Sequence, residues 1–167
     1  MLEKYQHDDF KKSAIGNKTN ELISKKTRGD YIFWLNEAEN NPSEKAFFSK
    51  INELIEYLNR TCFMGILHKE FHYAVYPTGT FYKRHLDTFQ NDDRRKLSFV
   101  CYLNPSWEEA YGGELVLYLS PNGREQEKSI FPVAGRVVLF ESQILEHEVK
   151  PILSSERLSI TGWLKTR

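Results

Sequence analysis

The hydrophobic positions of residues 1–60 recur mainly at helical spacing, so this part is predicted to be mainly helical. Arg28-Gly29-Asp30 interrupts the pattern ahead of Tyr31–Leu35, a short strand-like apolar run. Asn41-Pro42-Ser43 then predicts a helix start with Ser43 as the N-cap. A row of apolar side chains follows on one helix face and is expected to pack against a sheet. The row comprises Phe47, Ile51, Leu54, Ile55 and Leu58.

After Arg60 the pattern changes to short aromatic and β-branched runs separated by glycine, proline and asparagine. Such runs, with turns every 8–12 residues or so, are typical of a β-sandwich or barrel. We therefore predict an α+β protein that is mainly β, in which N-terminal helices back a β-barrel. Residues 1–60 would be the mainly helical support and residues 70–167 the barrel core of a single domain. The predicted strands are 71–76, 81–87, 96–103, 114–119, 136–140, 146–149 and 157–164.

Composition narrows the class of protein. The chain has 167 residues, enough for one domain, and its 23 basic and 23 acidic residues give no excess charge for nucleic-acid binding. Aromatic residues make up 14% of the chain, which favours strands. Cys62 and Cys101 form no CxxC pair, so a reducing, cytoplasmic location is expected. The sequence shows neither a secretion signal nor an apolar run that predicts a membrane span, and it carries no signal for an oligomeric state.

One short motif suggests metal chemistry. In His85-Leu86-Asp87, the histidine and the aspartate would point to the same side of a strand because side chains alternate with a period of two. His147 begins a later predicted strand and would add a second imidazole. Two imidazoles and one carboxylate suit Fe(II) with open positions for a cosubstrate and O2.

Several neighbouring polar residues do not have this context. Glu146 and Glu148 flank His147 and should face the other side of its strand. His7, His68 and His72 are interpreted as structural or surface histidines. The charged segment Thr88–Arg95, which includes Asp92, Asp93, Arg94 and Arg95, either binds a peptide or is simply solvated.

Arg157 lies in an otherwise apolar strand, where a charge needs a partner. A guanidinium pairs well with a carboxylate through two parallel hydrogen bonds, and beside Fe(II) that carboxylate would be the far end of 2-oxoglutarate. Arg157, Thr161 and Trp163 differ by even numbers, so they share one face, which we predict to line the lumen.

The segment Tyr76–Asp87 resembles the iron-binding strand of the 2-oxoglutarate- and Fe(II)-dependent prolyl hydroxylases. It is most similar to the hypoxia-inducible-factor type and its bacterial relatives. Further segments that resemble this family are Arg28–Asp30 with Trp34, Tyr102–Trp107 with Gly112–Leu115, Pro132–Phe140, His147–Pro151 and Arg157–Trp163.

The resemblance implies a double-stranded β-helix, the jelly-roll barrel also found in cupins. It makes His85, Asp87 and His147 the iron ligands, and Arg157 the partner of the 2-oxoglutarate C5 carboxylate. The other implied site residues are Tyr102, which shares that carboxylate, Thr161, a polar neighbour, Trp163 and Tyr76, which line the pocket near the metal, and Tyr82, which either lies at the active site or packs the barrel.

The implied reaction is hydroxylation of a prolyl residue in a protein or peptide, with release of succinate and CO2 from 2-oxoglutarate and with ascorbate as a supporting reductant. The same chemistry on a free amino acid or small metabolite is an alternative. A Zn(II) hydrolase with the same three ligands would lack an HExxH-type base and leave Arg157 unexplained. A noncatalytic sensor of iron and 2-oxoglutarate is a further alternative.

Overall fold

Ten β-strands, one α-helix and two short 3-10 helices, Glu109–Tyr111 and Pro121–Gly123, make up the regular structure of the described residues. The computed structural model describes residues 10–13, 28–39, 41–88 and 94–166. Helix α1 spans Pro42–Cys62. The strands are β1 (Lys11–Lys12), β2 (Tyr31–Trp34), β3 (His68–Tyr76), β4 (Tyr82–His85), β5 (Arg95–Tyr102), β6 (Leu115–Leu119), β7 (Gln126–Ile130), β8 (Val137–Glu141), β9 (His147–Val149) and β10 (Arg157–Lys165).

The strands form two antiparallel sheets. The larger sheet has six strands in the order β1-β2-β3-β10-β5-β8, and the smaller has four in the order β4-β9-β6-β7. Apolar side chains of both sheets meet in one cluster, in which Val100 and Phe140 of the larger sheet pack with Leu115 and Leu117 of the smaller. Strand β10 lies at the centre of the larger sheet between β3 and β5. This fold confirms the predicted mainly β class.

Helix α1 packs on the outer face of the larger sheet. Phe48 and Ile51 are buried there against Phe71 and Phe99, and the rest of the predicted apolar row packs around them. The N-cap is Asn41, whose side-chain oxygen accepts hydrogen bonds from the backbone amides of Ser43 (3.0 Å) and Glu44 (3.2 Å). The prediction of Ser43 as the cap was therefore wrong, because Ser43 already lies inside the helix.

The prediction of several N-terminal helices is not confirmed. In the described parts of the chain α1 is the only α-helix, and Lys11–Lys12 instead pair with β2 as an edge strand. Residues 1–9 and 14–27, also predicted to be helical, lie outside the described residues. Among the described helical segments, none has the length and apolar character required to cross a bilayer.

The predicted strands are confirmed with small shifts at their ends, but two strands were missed. Tyr31–Trp34 forms β2, as its apolar run predicted. Strand β7 was missed because its residues, Gln126–Ile130, are polar and mostly exposed at the edge of the smaller sheet. Strand β1 was missed because it consists of Lys11 and Lys12 alone.

Candidate functional site

Two histidines and one aspartate converge between the sheets. His85 ends β4 and lies directly opposite His147, the first residue of β9. Ligand atoms from His85, Asp87 and His147 all lie within 4.8 Å of one another. Asp87 Oδ1 is 3.4 Å from His85 Nε2, and Asp87 Oδ2 is 3.6 Å from His147 Nε2. Asp87 lies in a bend beyond the end of β4, so the expectation that one strand carries both residues was wrong for Asp87.

The backbone orients both imidazoles. His85 Nδ1 lies 2.6 Å from the carbonyl oxygen of Lys83, and His147 Nδ1 lies 3.2 Å from that of Leu145. A carbonyl only accepts, so each Nδ1 carries the proton and each Nε2 presents a lone pair to the centre of the group. The ring of Tyr82 stacks on His85 with centroids 3.6 Å apart, which fixes the plane of that imidazole.

These three residues fit a divalent metal. His85 Nε2 is buried and makes no hydrogen bond within the described residues, as expected for an atom whose partner is an ion. Burial lowers the pKa of His147 and so favours its neutral, ligating form. Burial alone would raise the pKa of Asp87, but His147, His85 and Ser98 hold it well below its usual range. The group therefore offers two imidazoles and one carboxylate, a donor set suited to Fe(II).

The sequence analysis missed a hydroxyl pair behind the carboxylate. Ser98 Oγ donates to Asp87 Oδ2 at 2.6 Å and lies 2.8 Å from the hydroxyl of Ser142. Both serines are fully buried. The backbone oxygen of Asp87 accepts a further hydrogen bond from Arg95 Nη1 at 3.2 Å. The only sequence signal for this contact was the presence of a polar residue, Ser98, within an otherwise apolar run of β5.

A buried guanidinium lies in the same cavity. Arg157 is 2% exposed, and its Nε donates to the carbonyl of Gly113 at 3.0 Å while Nη2 donates to the hydroxyl of Tyr102 at 3.3 Å. Gly113 has a φ of +69°, which favours glycine, and a Cβ there would lie 3.5 Å from Arg157 Cδ. Within the part of the chain that the structure describes, no carboxylate lies within 4.0 Å of Arg157. A guanidinium has five N–H donors, so several stay available for a carboxylate ligand.

The other predicted site residues lie around the same space. Tyr76, Tyr82, Thr161 and Trp163 line it together with the three possible metal ligands and Arg157. Tyr102 contacts it through its hydrogen bond to Arg157, and burial raises the pKa of its phenol, which keeps it protonated. The structure thus brings all nine predicted positions to one region, while the role of each stays a prediction. The lining residues not predicted include His72, Ala74, Val100, Leu115, Phe140 and Val149.

The histidines outside the motif have different surroundings. His68 is exposed, whereas His72 is 1% exposed and lines the cavity, a position that its interpretation as a structural or surface residue did not specify. His7 lies outside the described residues. No sequence signal placed His72 in the cavity, because its neighbours Phe71 and Tyr73 indicate only a strand.

Arg28, the first residue of the tripeptide Arg28-Gly29-Asp30, lines the site. Arg28 Nε and Nη2 donate to the two carboxylate oxygens of Asp30 at 2.5 and 2.8 Å. Arg28 also lies over the ring of Tyr82, 4.7 Å from its centroid. Trp34 packs edge-on against His72 with ring centroids 4.8 Å apart. Through these contacts, Arg28–Asp30 and Trp34, which resemble the N-terminal region of the prolyl hydroxylases, pack against the residues around the possible metal ligands.

Glu146 and Glu148, the two carboxylates beside His147, face away from the site. Glu146 pairs with Arg84, and Glu148 accepts hydrogen bonds from Tyr118 and pairs with Lys150. This confirms that Glu146 and Glu148 lie on the opposite side of β9 from His147. Asp92 and Asp93 lie outside the described residues, whereas Arg95 belongs to β5 and pairs with Glu70 at 3.0 Å.

Comparison with known proteins identifies the family. The sequence profile of the 2OG-Fe(II) oxygenase superfamily matches residues 71–165, which include the three possible ligands and Arg157. The chain belongs to the 2OG-Fe(II) oxygenase superfamily. Membership implies Fe(II), 2-oxoglutarate and O2 as cofactor, cosubstrate and oxidant, and the donor set described above fits them.

Two solved structures of related oxygenases cover nearly all of this chain. A prolyl-4-hydroxylase from Pseudomonas putida is 34% identical with a TM-score of 0.87, over 99% of this chain and 82% of that one. A prolyl hydroxylase from Trichoplax adhaerens, solved with a hypoxia-inducible-factor oxygen degradation domain peptide fragment, is 31% identical with a TM-score of 0.84, over 99% and 74% of the two chains. The fold of this superfamily member is therefore that of a prolyl hydroxylase.

A curated relative of this superfamily member matches over a shorter region. Prolyl 3-hydroxylase OGFOD1 of Mus musculus is 42% identical over 77 residues, which are 41% of this chain. The match spans 14% of the mouse protein. The similarity therefore covers only a small part of the mouse protein.

Proposed function

We propose that the protein is a Fe(II)- and 2-oxoglutarate-dependent dioxygenase that hydroxylates a prolyl residue in a protein or peptide, with release of succinate and CO2. The observation that carries the proposal is the combination of one group of three possible metal ligands and one buried arginine in the same cavity. Two imidazoles and a carboxylate point at one centre, and Arg157 lies nearby without a carboxylate partner among the described residues. The relatives support the prolyl substrate because two of the related structures are prolyl hydroxylases.

The residues that would hold the metal are His85, Asp87 and His147. When bound, Fe(II) would supply the redox chemistry that couples decarboxylation of 2-oxoglutarate to hydroxylation of a C–H bond. The protein's part is to hold three donors in place. The carbonyls of Lys83 and Leu145 set the tautomers of the imidazoles, and Ser98 holds the carboxylate of Asp87.

Arg157 and Tyr102 would bind the C5 carboxylate of 2-oxoglutarate. The guanidinium is held in position by the Gly113 carbonyl, and the Tyr102 hydroxyl accepts from Arg157, so its own proton is available for the carboxylate. Thr161 would be a polar neighbour in this pocket, and its hydroxyl lies 3.2 Å from that of Ser159. The surrounding Val100, Leu115 and Val149 exclude water, which strengthens the charge pair.

The remaining aromatic residues would shape the substrate side. Tyr76, Tyr82 and Trp163 line the cavity close to the possible ligands, and Trp163 is held by the guanidinium of Arg95, which lies 3.5 Å from its ring centroid. A rigid apolar wall would keep the reacting C–H bond close to the metal and exclude water from the oxidant.

The test is turnover with a defined set of components. The protein is incubated with Fe(II), 2-oxoglutarate, ascorbate and candidate proteins, and succinate and peptide masses are measured. One added oxygen on a proline, dependent on 2-oxoglutarate, supports the proposal. Succinate formation that is stimulated only by free amino acids or small metabolites would contradict the prolyl assignment and leave the dioxygenase chemistry in place. Hydroxylation that does not depend on 2-oxoglutarate would contradict both the prolyl assignment and the dioxygenase chemistry.

A further inference from the structure

One side chain in the cavity is accounted for neither by the metal site nor by the carboxylate pocket. His72 lies on β3 and faces the same side as Ala74 and Tyr76, which also line the cavity. It is 1% exposed, and neither of its ring nitrogens has a hydrogen-bond partner in the described segments. The indole nitrogen of Trp163, in the same cavity, is likewise buried without a partner there. Buried polar atoms are normally hydrogen-bonded, so two such groups in one cavity indicate a ligand.

These groups lie away from the cosubstrate end. On the larger sheet, Arg157 pairs with Tyr76 at one level, whereas His72 pairs with Thr161, four residues further along β10. A strand rises by about 3.3 Å per residue. Four residues therefore separate the two levels by more than the distance over which a carboxylate bound to Arg157 could form a hydrogen bond. Ser98, which holds Asp87, lies opposite Trp163 on the other side of β10. His72 and Trp163 therefore lie at the metal end of the cavity.

His72 lies between one exposed and one buried tryptophan. The ring of His72 lies between Trp34 and Trp163, with centroid distances of 4.8 and 5.6 Å. Trp34 is 50% exposed, whereas Arg157 at the other end is 2% exposed. A substrate that enters after 2-oxoglutarate from the side of Trp34 would meet His72 and Trp163.

The two guanidinium groups at this end are each paired with a carboxylate. The guanidinium of Arg28 is neutralised by Asp30, and that of Arg95 pairs with Glu70. Burial, together with the charge of Arg28, lowers the pKa of His72 to about 3, so the imidazole is neutral at physiological pH. A neutral imidazole and an indole each present one N–H donor. Uncharged donors in a buried site suit a carbonyl oxygen better than a carboxylate, which needs a cation there.

We propose that His72 and Trp163 form a substrate subsite that donates hydrogen bonds to a main-chain carbonyl, so that the enzyme acts on a residue within a peptide chain and not on a free amino acid. This inference rests on the proposed function, because it assumes that the substrate reaches the metal from the side of Trp34. His72 acts by recognition and has no part in holding iron.

The first experiment compares two probes that differ by one charge. N-acetyl-L-prolinamide ends in an amide, and N-acetyl-L-proline ends in a carboxylate. Each is titrated by calorimetry, without oxygen, into the protein loaded with Fe(II) and 2-oxoglutarate. Tighter binding of the amide is expected. Equal or tighter binding of the carboxylate, or no binding of the amide, would overturn the subsite.

The second experiment removes the donors. H72F keeps a ring between the two tryptophans but removes both nitrogens, and W163F removes the other N–H. Each variant should bind the amide probe about fivefold to tenfold more weakly, as expected for the loss of one hydrogen bond. H72Q restores a donor and should bind more tightly than H72F. H68F, an exposed position on the same strand, is the matched control and should bind like the wild type.

The two proposals fail in distinguishable ways. Calorimetry also gives the affinity of the wild type for 2-oxoglutarate. If the wild type binds 2-oxoglutarate but H72F and W163F bind the amide probe as tightly as it does, only the subsite is overturned. If the wild type binds no 2-oxoglutarate in the presence of Fe(II), the proposed function itself fails. Should H72F not fold, as judged by its melting temperature, W163F and H72Q still decide the question.

Discussion

The hydroxyl of Ser98 donates a 2.6 Å hydrogen bond to the carboxylate of Asp87, and it connects that carboxylate to the buried Ser142. Asp87 lies beyond the end of β4, where no strand pairing holds it. Ser98 on β5 therefore orients this carboxylate in place of the backbone hydrogen bonds of a strand. A contact of this kind to a metal ligand has measurable consequences for metal affinity.

Ser98→Ala should weaken Fe(II) binding and turnover by roughly 10- to 100-fold, the range typical for residues that orient a metal ligand. Fe(II) affinity is measured anaerobically by titration, and turnover by succinate release. Ser129→Ala, at an exposed position on β7, is the control and should change neither. Equal Fe(II) affinity in the wild type and Ser98→Ala would show that the hydrogen bond does not orient Asp87.

Asp87→Ala should abolish turnover, with a loss larger than the roughly 100-fold upper limit for orienting residues, because it removes a ligand itself. Glu148→Ala is the matched control, since Glu148 is a carboxylate beside His147 that faces away from the site. The measurement is succinate formation at saturating 2-oxoglutarate. Wild-type rates in Asp87→Ala would be incompatible with the proposed metal site.

Arg157→Lys should raise the Kd for 2-oxoglutarate by roughly 30-fold or more, because loss of a buried charged hydrogen-bond partner costs about 2–5 kcal/mol. Lysine keeps the charge but loses the planar fork that pairs with a carboxylate. Fe(II) binding should be largely retained, since Arg157 contacts Gly113 and Tyr102 and not the metal-binding group. Arg124→Lys, at an exposed position, serves as the control. An unchanged Kd in Arg157→Lys would exclude Arg157 as the carboxylate partner.

His72 should make the stability of the protein dependent on pH. Its folded-state pKa is lowered from 6.5 to about 3 by burial and by Arg28, with Asp30, Arg95 and Asp87 as the other nearby charges. The unfolded chain therefore binds a proton below about pH 6.5 that the folded protein does not bind, and the free energy of unfolding falls as the pH decreases from about 6.5 toward 3.

At pH 5.5 this effect amounts to about 1.4 kcal/mol relative to H72F, one pH unit below the ordinary histidine pKa. H72F should also be the more stable protein at pH 7.5, because it removes a buried polar group without a partner, a gain of about 1–3 kcal/mol. Urea unfolding of the wild type, H72F and H68F at the two pH values is the measurement. A constant difference between the wild type and H72F across this range would show that folding does not lower the pKa of His72.

The Arg28–Asp30 pair should stabilise the fold at neutral pH. Burial alone would raise the pKa of Asp30, but the charge of Arg28 and hydrogen bonds from Arg28 and Ser13 lower it overall. The stabilisation is then complete above about pH 4, the unfolded value, and is lost as the pH falls below it toward the folded pKa.

Asp30→Asn should cost about 3–5 kcal/mol at pH 7, since it leaves the buried guanidinium without its counter-charge. Glu37→Gln, a carboxylate that is largely exposed and pairs with Lys69, should cost less than about 1 kcal/mol. Unfolding by urea at pH 7 and pH 3.5 tests both statements. If the difference between the wild type and Asp30→Asn is as large at pH 3.5 as at pH 7, ionisation of Asp30 does not carry the stabilisation.

The strands that carry a buried face could be predicted from the sequence, and those without one could not. β3, β5 and β10 are rich in apolar residues because both of their faces are covered, by α1 on one side and by the smaller sheet on the other. β7 lies at an edge and buries almost nothing, so its sequence shows no alternation of apolar and polar residues that would predict a strand. The position of Asp87 was missed for a related reason, since the irregular step after His85 depends on contacts with β5.

The chemistry of the site was determined by local sequence: the spacing of His85 and Asp87, and a charge at Arg157 within an apolar strand, already indicated a metal and a carboxylate ligand. Only the tertiary structure decided which polar side chains have partners. Ser98 and Ser142 hold Asp87, whereas His72 and Trp163 point into the cavity with no partner among the described residues. Hydrogen-bond satisfaction depends on atoms brought together from distant strands, and the period of a single strand contains no information about them.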